Sequence, residues 1–358
     1  MKVGLILSSD LALNPYVSIY AKLLDELSVE YDIVTWNRYG LDDGDKLSYN
    51  VLMKNESSTI SKIIKYCSFC RFAIHIIKKK KYDCLVVFSP QLCMALYWFL
   101  KKHYAGRFVM DYRDLSIEQK NMWLFKKVLD CSGLNVISSP GFKTYLPSAY
   151  EYTLSHNFDV EKLNNLHHTS ACDQLFDRNK IEILTIGAIR DYAQNKEIVN
   201  ALKNKSPYHM TFVGSGDAAA LLDDYVAQDG IINVYFSGYY EKKDEEKFIL
   251  NSDFINIYYP NIASHISALS NRFYNSLLYK RPMIVLSTSI QGEYVNKYGL
   301  GISIDNCDQL NAKIDDYILH FNYTEFEQNA NLLLEEFRND YVIFKQKFIE
   351  FLNKEHDV

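Results

Sequence analysis

Residues 271 to 286 read NRFYNSLLYKRPMIVL: a short helical stretch, a Lys-Arg-Pro break and an apolar strand. Asn271 and Asn275, four residues apart, share one helical face near the positive end of the dipole, with Arg272 beside them. A phosphate-bearing ligand suits that end, because unpaired backbone amides and the dipole both favour an anion. Taken alone, the stretch reads equally well as an ordinary α/β crossover with polar residues at its exposed start.

Outward from it in both directions, short apolar runs alternate with longer segments of helical period, the pattern of a parallel sheet covered on both faces. In the first half the runs predict strands over 2–8, 31–36, 83–88, 107–110 and 134–138 and a short strand near 50–53. Helices are predicted over 15–28, 58–80, 91–103, 117–130 and 140–147. Periodicity is lost over 151–180, a polar, His-rich stretch (His156, His167, His168) read as an interdomain linker. The pattern restarts with strands 181–186, 209–213, 232–236, 253–257, 283–286 and 301–304 between helical segments. The expectation is an α/β chain of two tandem Rossmann-like domains, 1–165 and 175–337. A final segment, 324–353, carries Phe326, Leu333, Phe337, Val342, Phe344, Phe348 and Phe351 at helical spacing.

Composition narrows the function classes. A 358-residue chain of net charge -5 lacks the basic surface of a general nucleic-acid binder. Seven cysteines are an odd number and several sit within apolar runs, which fits buried thiols in a reducing compartment. Cys67 and Cys70 form a lone CxxC without a second pair, so neither metal nor redox use is expected of them. KVGLILS enters a strand directly and no apolar run has the length of a membrane span, so the expected location is the cytoplasm.

The opening stretch resembles the nucleotide-sugar-binding helix of GT-B glycosyltransferases, especially the family 4 group. In that group a similar segment reads Lys/Arg-x-x-Glu, an apolar turn, Gly-Lys-Pro and a buried strand. Here Asn275 stands at the second glutamate, Ser267 at the place of the first, and Lys280-Arg281-Pro282 replaces Gly-Lys-Pro. ILTIGAIRDY, with Gly187 ending a strand and Arg190 in the following loop, is similar to the Gly-x-x-Arg donor loop, without the Lys-Gly that often follows. FVGSGDAA resembles the Val-Gly-x-Gly turn at Gly214 and Gly216, and FSGYY the base-holding loop, where Tyr239 or Tyr240 would stack on the base. His265, in the loop before the organising helix, is a weaker donor-side candidate.

The first half resembles these enzymes more loosely. DYRD after a predicted strand offers Asp114 for acceptor chemistry, with Asp111 read instead as the structural partner of Arg113. SSDLALNPY occupies the first strand-to-helix loop, where many GT-B enzymes carry Gly-Gly; that pair is missing, and Asp10 and Asn14 are the acceptor-side candidates. SHNFD resembles the Asn-Gly-Val-Asp that closes the first domain, and the family's terminal helix, here about 338–358, would cross back onto that domain. Helix 58–81 carries an apolar stripe with Lys62, Lys65, Arg71 and Lys78 to Lys81, which suits an anionic membrane face, or a sheet-covering helix whose lysines meet its dipole.

The resemblance implies a glycosyltransferase that takes a nucleoside-diphosphate sugar through Gly187, Arg190, Gly214, Gly216, Tyr239, Asn271, Arg272 and Asn275. The acceptor would be a glycan or a lipid-linked glycan of cell-surface polysaccharide synthesis, with retention of configuration, no metal and no further cofactor. The competing readings are a nucleotide-sugar epimerase on the same fold and a noncatalytic nucleotide-sugar-binding subunit.

Overall fold

The first strand, β1 (Lys2–Leu7), is buried from Val3 onward, as a strand must be when helices cover both faces of its sheet. This computed structural model describes residues 1–41, 47–53, 58–158, 175–176 and 179–354. The first compact unit is Met1–Asn157 with Asn339–Val358, and the second is Phe158–Arg338.

In the first unit β1 pairs in parallel with β2 (Glu30–Trp36) and β4 (Cys84–Phe88). β3 (Ser48–Tyr49), β5 (Phe108–Tyr112), β6 (Leu134–Ile137) and β7 (Thr153–Leu154) complete seven strands in the order β3-β2-β1-β4-β5-β6-β7. The second sheet holds β8 (Ile181–Ile186), β9 (Tyr208–Val213), β10 (Val234–Gly238), β11 (Phe254–Ile257), β12 (Met283–Leu286) and β13 (Gly301–Ile304), in the order β10-β9-β8-β11-β12-β13. Each sheet is built outward in both directions from its first strand. The strand order therefore reverses between β1 and β4, and again between β8 and β11, opening a crevice beyond the carboxyl ends of each pair.

The terminal helix Tyr323–Asn353 contributes to two cores in turn. Phe326, Leu333, Leu334 and Phe337 pack with Leu184, Val213 and Phe273 in the second unit. Phe344, Phe348, Phe351 and Leu352 pack with Val3, Leu5 and Val86 in the first, so the helix crosses back as the fold class requires. Its Asp340 shares a 2.9 Å hydrogen bond with the buried His156 ring.

Local chemistry corrects several predicted boundaries. The helix expected over 91–103 is two, Pro90–Ala95 and Tyr97–His103, broken at Leu96. That expected over 117–130 is a 3-10 turn, Ile117–Lys120, followed by Met122–Leu129, because the Asn121 side chain accepts from the Leu124 amide and starts a new helix. The segment 140–147 tightens to a 3-10 turn, Pro140–Thr144, under a Ser139 cap. The strand near 50–53 is instead β3, and β7 lies in the stretch read as linker. The rest of that stretch, with His167 and His168, falls largely outside the described residues.

Candidate functional site

The helix Asn271–Leu278 starts where the sequence signals it, with Ser270 accepting from the Phe273 amide at 3.3 Å. Ser270 Oγ in turn donates to Gln291 Oε1 at 2.8 Å, which fixes the cap. The helix closes in a Schellman arrangement: the Arg281 amide reaches back to the Ser276 carbonyl while Lys280 adopts φ 53°.

Arg272 leaves the first turn inward. Its Nε donates to the Ile186 carbonyl (2.6 Å), Nη1 to Asn256 (3.2 Å) and Nη2 to Ala188 (3.0 Å), with its guanidinium 5.5 Å from the Tyr259 ring. Ile186 ends β8 and Asn256 lies in β11, so the guanidinium joins the two strands at the switch point of the sheet. Three of its five N–H donors are spent on backbone, and its charge sits buried beneath the crevice where an anion would bind.

Arg190, in contrast, is exposed in the loop that follows β8. The loop is shaped from below: Asn195 Nδ2 donates to the Arg190 carbonyl, and Asn256 Nδ2 bonds Thr185 Oγ1 at 3.0 Å and Asn195 Oδ1 at 3.5 Å. His265 lies 3.9 Å from Asp191 and edge-on to Tyr259, at the border of the same loop.

The glycines have a backbone reason. The Ile189 amide donates to the Ser215 carbonyl at 3.0 Å, and the Gly187 amide to the Val213 carbonyl at 2.9 Å, so the loops after β8 and β9 press together. A Cβ at Gly214 would stand 2.0 Å from the Gly187 oxygen, and one at Gly216 2.1 Å from that of Ile189. Ser215 and Gly216 remain exposed beside Arg190's loop, and Tyr239 is 81% exposed, while the Tyr240 hydroxyl donates to Glu245 Oε2 at 3.1 Å.

Asn275 also turns to Glu245, donating through Nδ2 to Oε1 at 2.6 Å. Glu245 is buried and takes a third partner in Lys242. This carboxylate, with Tyr259 and Gln291, escaped the sequence reading: Asp244-Glu245-Glu246 looks like the ordinary acidic start of a helix. Asn271 stays exposed in the first turn.

In the first unit Asp10 is fully buried and accepts from the amides of Arg38 (3.0 Å), Tyr39 (3.0 Å) and Leu41 (3.1 Å), holding the chain that leaves β2. Asn14 donates to the Asp10 carbonyl and accepts from the Tyr16 hydroxyl. These partners give both residues structural work in the loop after β1. Asp111 is buried and bound by Arg113 Nη2 (2.7 Å) and the Tyr20 hydroxyl (2.5 Å), with Arg113 Nη1 on the Ser155 carbonyl. Asp114, three residues on, is exposed at the carboxyl edge of the sheet. The site residues thus fall into two sets: Arg190, Arg272, Asn271, Gly214, Gly216, Tyr239 and Asn275 at one end of the second sheet, Asp10, Asn14 and Asp114 at that of the first.

No protein-family model matches the chain, and no curated protein matches its sequence. Solved structures do match its fold. HepE of Anabaena, crystallised with UDP and glucose, superposes with a TM-score of 0.64 at 14% identity, over 99% of this chain and 100% of that one. Sucrose-phosphate synthase of Thermosynechococcus elongatus gives 0.69 at 11%, again over 99% and 100%. A UDP-N-acetylglucosamine 2-epimerase of Listeria monocytogenes, so described provisionally, gives 0.57 at 13%, over 92% and 90%. At these identities the likeness is one of fold: two parallel-sheet α/β domains of the GT-B type along nearly the whole chain.

Proposed function

We propose that the chain is a glycosyltransferase moving a sugar from a nucleoside-diphosphate donor to a hydroxyl of a glycan or lipid-linked acceptor. The observation that carries this reading is the pairing of buried Arg272 with exposed Arg190 at the β8/β11 switch point, beside a capped helix start. In the proposed reaction the bond between the anomeric carbon and the diphosphate oxygen breaks as the acceptor oxygen bonds that carbon. The negative charge gathers on the departing diphosphate, where Arg190 and the first amides of helix Asn271–Leu278 would bind it and Arg272 would supply a fixed positive field. That arrangement calls for no metal. Asp114 is proposed as the group that accepts or orients the acceptor proton, and Tyr239 as the base platform. The outcome at the anomeric carbon is proposed as retention, the setting as cell-surface polysaccharide synthesis, and the location as cytoplasmic, at an anionic membrane face. Among the described residues no helix is long and apolar enough to cross a membrane.

UDP titrated into the protein and into Arg190→Ala by calorimetry tests the site. The variant is expected to bind about 10- to 150-fold more weakly, as loss of a charge-assisted hydrogen bond predicts. Equal affinity with the fold intact overturns the assignment. Following UDP release from UDP-sugars with and without acceptor then separates transfer from epimerisation, which leaves the UDP on the sugar, and from mere binding. In that assay Asp114→Asn is expected to lower transfer sharply with UDP affinity unchanged.

A further inference from the structure

Arg38, two residues beyond the carboxyl end of β2, is a cation with no acid partner among the described residues. Its guanidinium hydrogen-bonds there only through Nη2, to the soft sulfur of Met53 at 3.1 Å, and its Nε is buried with no partner. The Asp10 carboxylate accepts from the Arg38 amide, not from its side chain. The Trp36 and Tyr39 rings, their centroids 5.4 and 5.5 Å from the guanidinium, hold the group in place, but their faces offer its N–H groups no oxygen. An unpaired charged donor is expensive to bury, and native structures seldom keep one without a purpose. The Tyr66 ring meets the same Trp36 edge-on at 6.0 Å, and its hydroxyl is likewise buried without a hydrogen-bond partner. Burial raises the pKa of that phenol while the Ser8 hydroxyl and the Arg38 charge act against it, so the three groups are neighbours. Ser8 leaves β1 and Arg38 leaves β2, which puts the cluster beyond the carboxyl ends of two paired parallel strands, where an open α/β sheet takes its ligands. Tyr66 also lines a cleft of about 390 Å³ with Gln91, Met94 and Asn121, a volume within the range of small-ligand sites.

We propose that Arg38 and Tyr66 bind an oxyanion carried by the acceptor, so that the substrate on the first unit is a sugar bearing a carboxylate or a phosphate. A planar fork held by aromatic rings suits two oxygens of one such group, and the phenol donates to the same anion. The neutral part of the sugar has the cleft beside Tyr66, where the side-chain amides of Gln91 and Asn121 suit hydroxyls. A purely structural arginine spends its donors on carbonyls, as Arg272 does with three and Arg281 with those of Ile249 and Leu250. Arg38 spends none in that way. The inference rests on the transferase reading for the acceptor's role, whereas the anion site itself stands on these side chains.

The test titrates the full chain, with saturating UDP present to fill the donor side, with glucose, glucuronate and glucose 6-phosphate, followed by saturation-transfer NMR. The two anions separate carboxylate from phosphate recognition, and at least one of them is expected to bind about tenfold or more tighter than glucose. Arg38→Gln is expected to erase that advantage with UDP affinity unchanged. Arg38→Lys should keep part of it, because the charge remains while the fork is lost, and Tyr66→Phe should reduce it severalfold. Equal binding of all three sugars, failure of both anions to bind, or an anion advantage that survives in Arg38→Gln would each overturn the inference. UDP affinity reports on the donor side separately, so either reading can fail without the other. Should Arg38→Gln lose its circular dichroism spectrum, the comparison of the three sugars and Tyr66→Phe still decide.

Discussion

The Asn275 amide donates to the Glu245 carboxylate at 2.6 Å, so the residue standing where the resembling family carries a glutamate faces a glutamate brought from another helix. Glu245 is buried and its bond to Asn275 is charge-assisted. Asn275→Ala is therefore expected to destabilise the fold by about 1.5 to 3 kcal/mol, read by urea unfolding. Asn275→Asp sets two carboxylates against each other and should cost more at pH 7 than at pH 4, where one can hold a proton. An Asn275→Ala variant of unchanged stability would show that Glu245 relies on Tyr240 and Lys242 alone.

The two arginines proposed for the donor side should separate by readout. Arg272→Ala strips three main-chain carbonyls of a buried partner and is expected to cost about 3 kcal/mol of stability. Arg190→Ala, at an exposed position, should leave the melting temperature within a degree or two while weakening UDP. Thermal unfolding with and without UDP distinguishes them, and matching melting temperatures for the two variants would refute the division.

Lys280 carries two local costs at once: a left-handed backbone at φ 53°, and an amine that burial lowers to about 8 from 10.5. The unfolded chain keeps the proton to higher pH, so stability rises with pH between about 8 and 10.5, and the full cost applies below 8. Lys280→Gly is expected to stabilise by on the order of 4 kcal/mol at pH 7, of which roughly 1 is backbone and roughly 3 the buried amine. The gain should shrink toward the backbone share by pH 10.5. Denaturant midpoints of both proteins across that range check the trend, and a gain independent of pH would contradict it.

Burial lowers the His156 pKa from 6.5, partly opposed by Asp340. Below 6.5 the unfolded chain binds the proton first, so stability should fall as the pH drops through the folded value. His156→Gln is expected to flatten the difference in stability between pH 7 and pH 5, measured by urea unfolding. An unaltered slope would assign the acid sensitivity to other groups.

Close packing sets a further prediction at Gly214, where a Cβ meets a backbone oxygen at 2.0 Å and φ is 128°. Gly214→Ala is expected to cost about 3 kcal/mol or more and to displace the loop of Arg190, so UDP binding should weaken along with stability. Retained stability would mean that the two loops can part without penalty.

The sequence by itself determined the two parallel sheets, because strands covered on both faces must be apolar along their length, and KVGLIL, CLVVF, ILTI and MIVL say so locally. Ser270 as a cap and the helix it starts were legible for the same reason: capping is settled within four residues. The terminal helix followed from its spaced phenylalanines, and its return to the first unit from the family resemblance.

Only the tertiary structure decided what the polar side chains do. Asp10 and Arg272 both read in sequence as charged residues at the ligand edge of a sheet, yet one holds three amides of a later loop and the other three carbonyls, of two strands and of the loop after β8. Glu245 became visible only when a separate helix brought it to Asn275. A buried charge is defined by partners distant in the chain, whose desolvation it must repay, and spacing along the sequence carries no record of which partners those are.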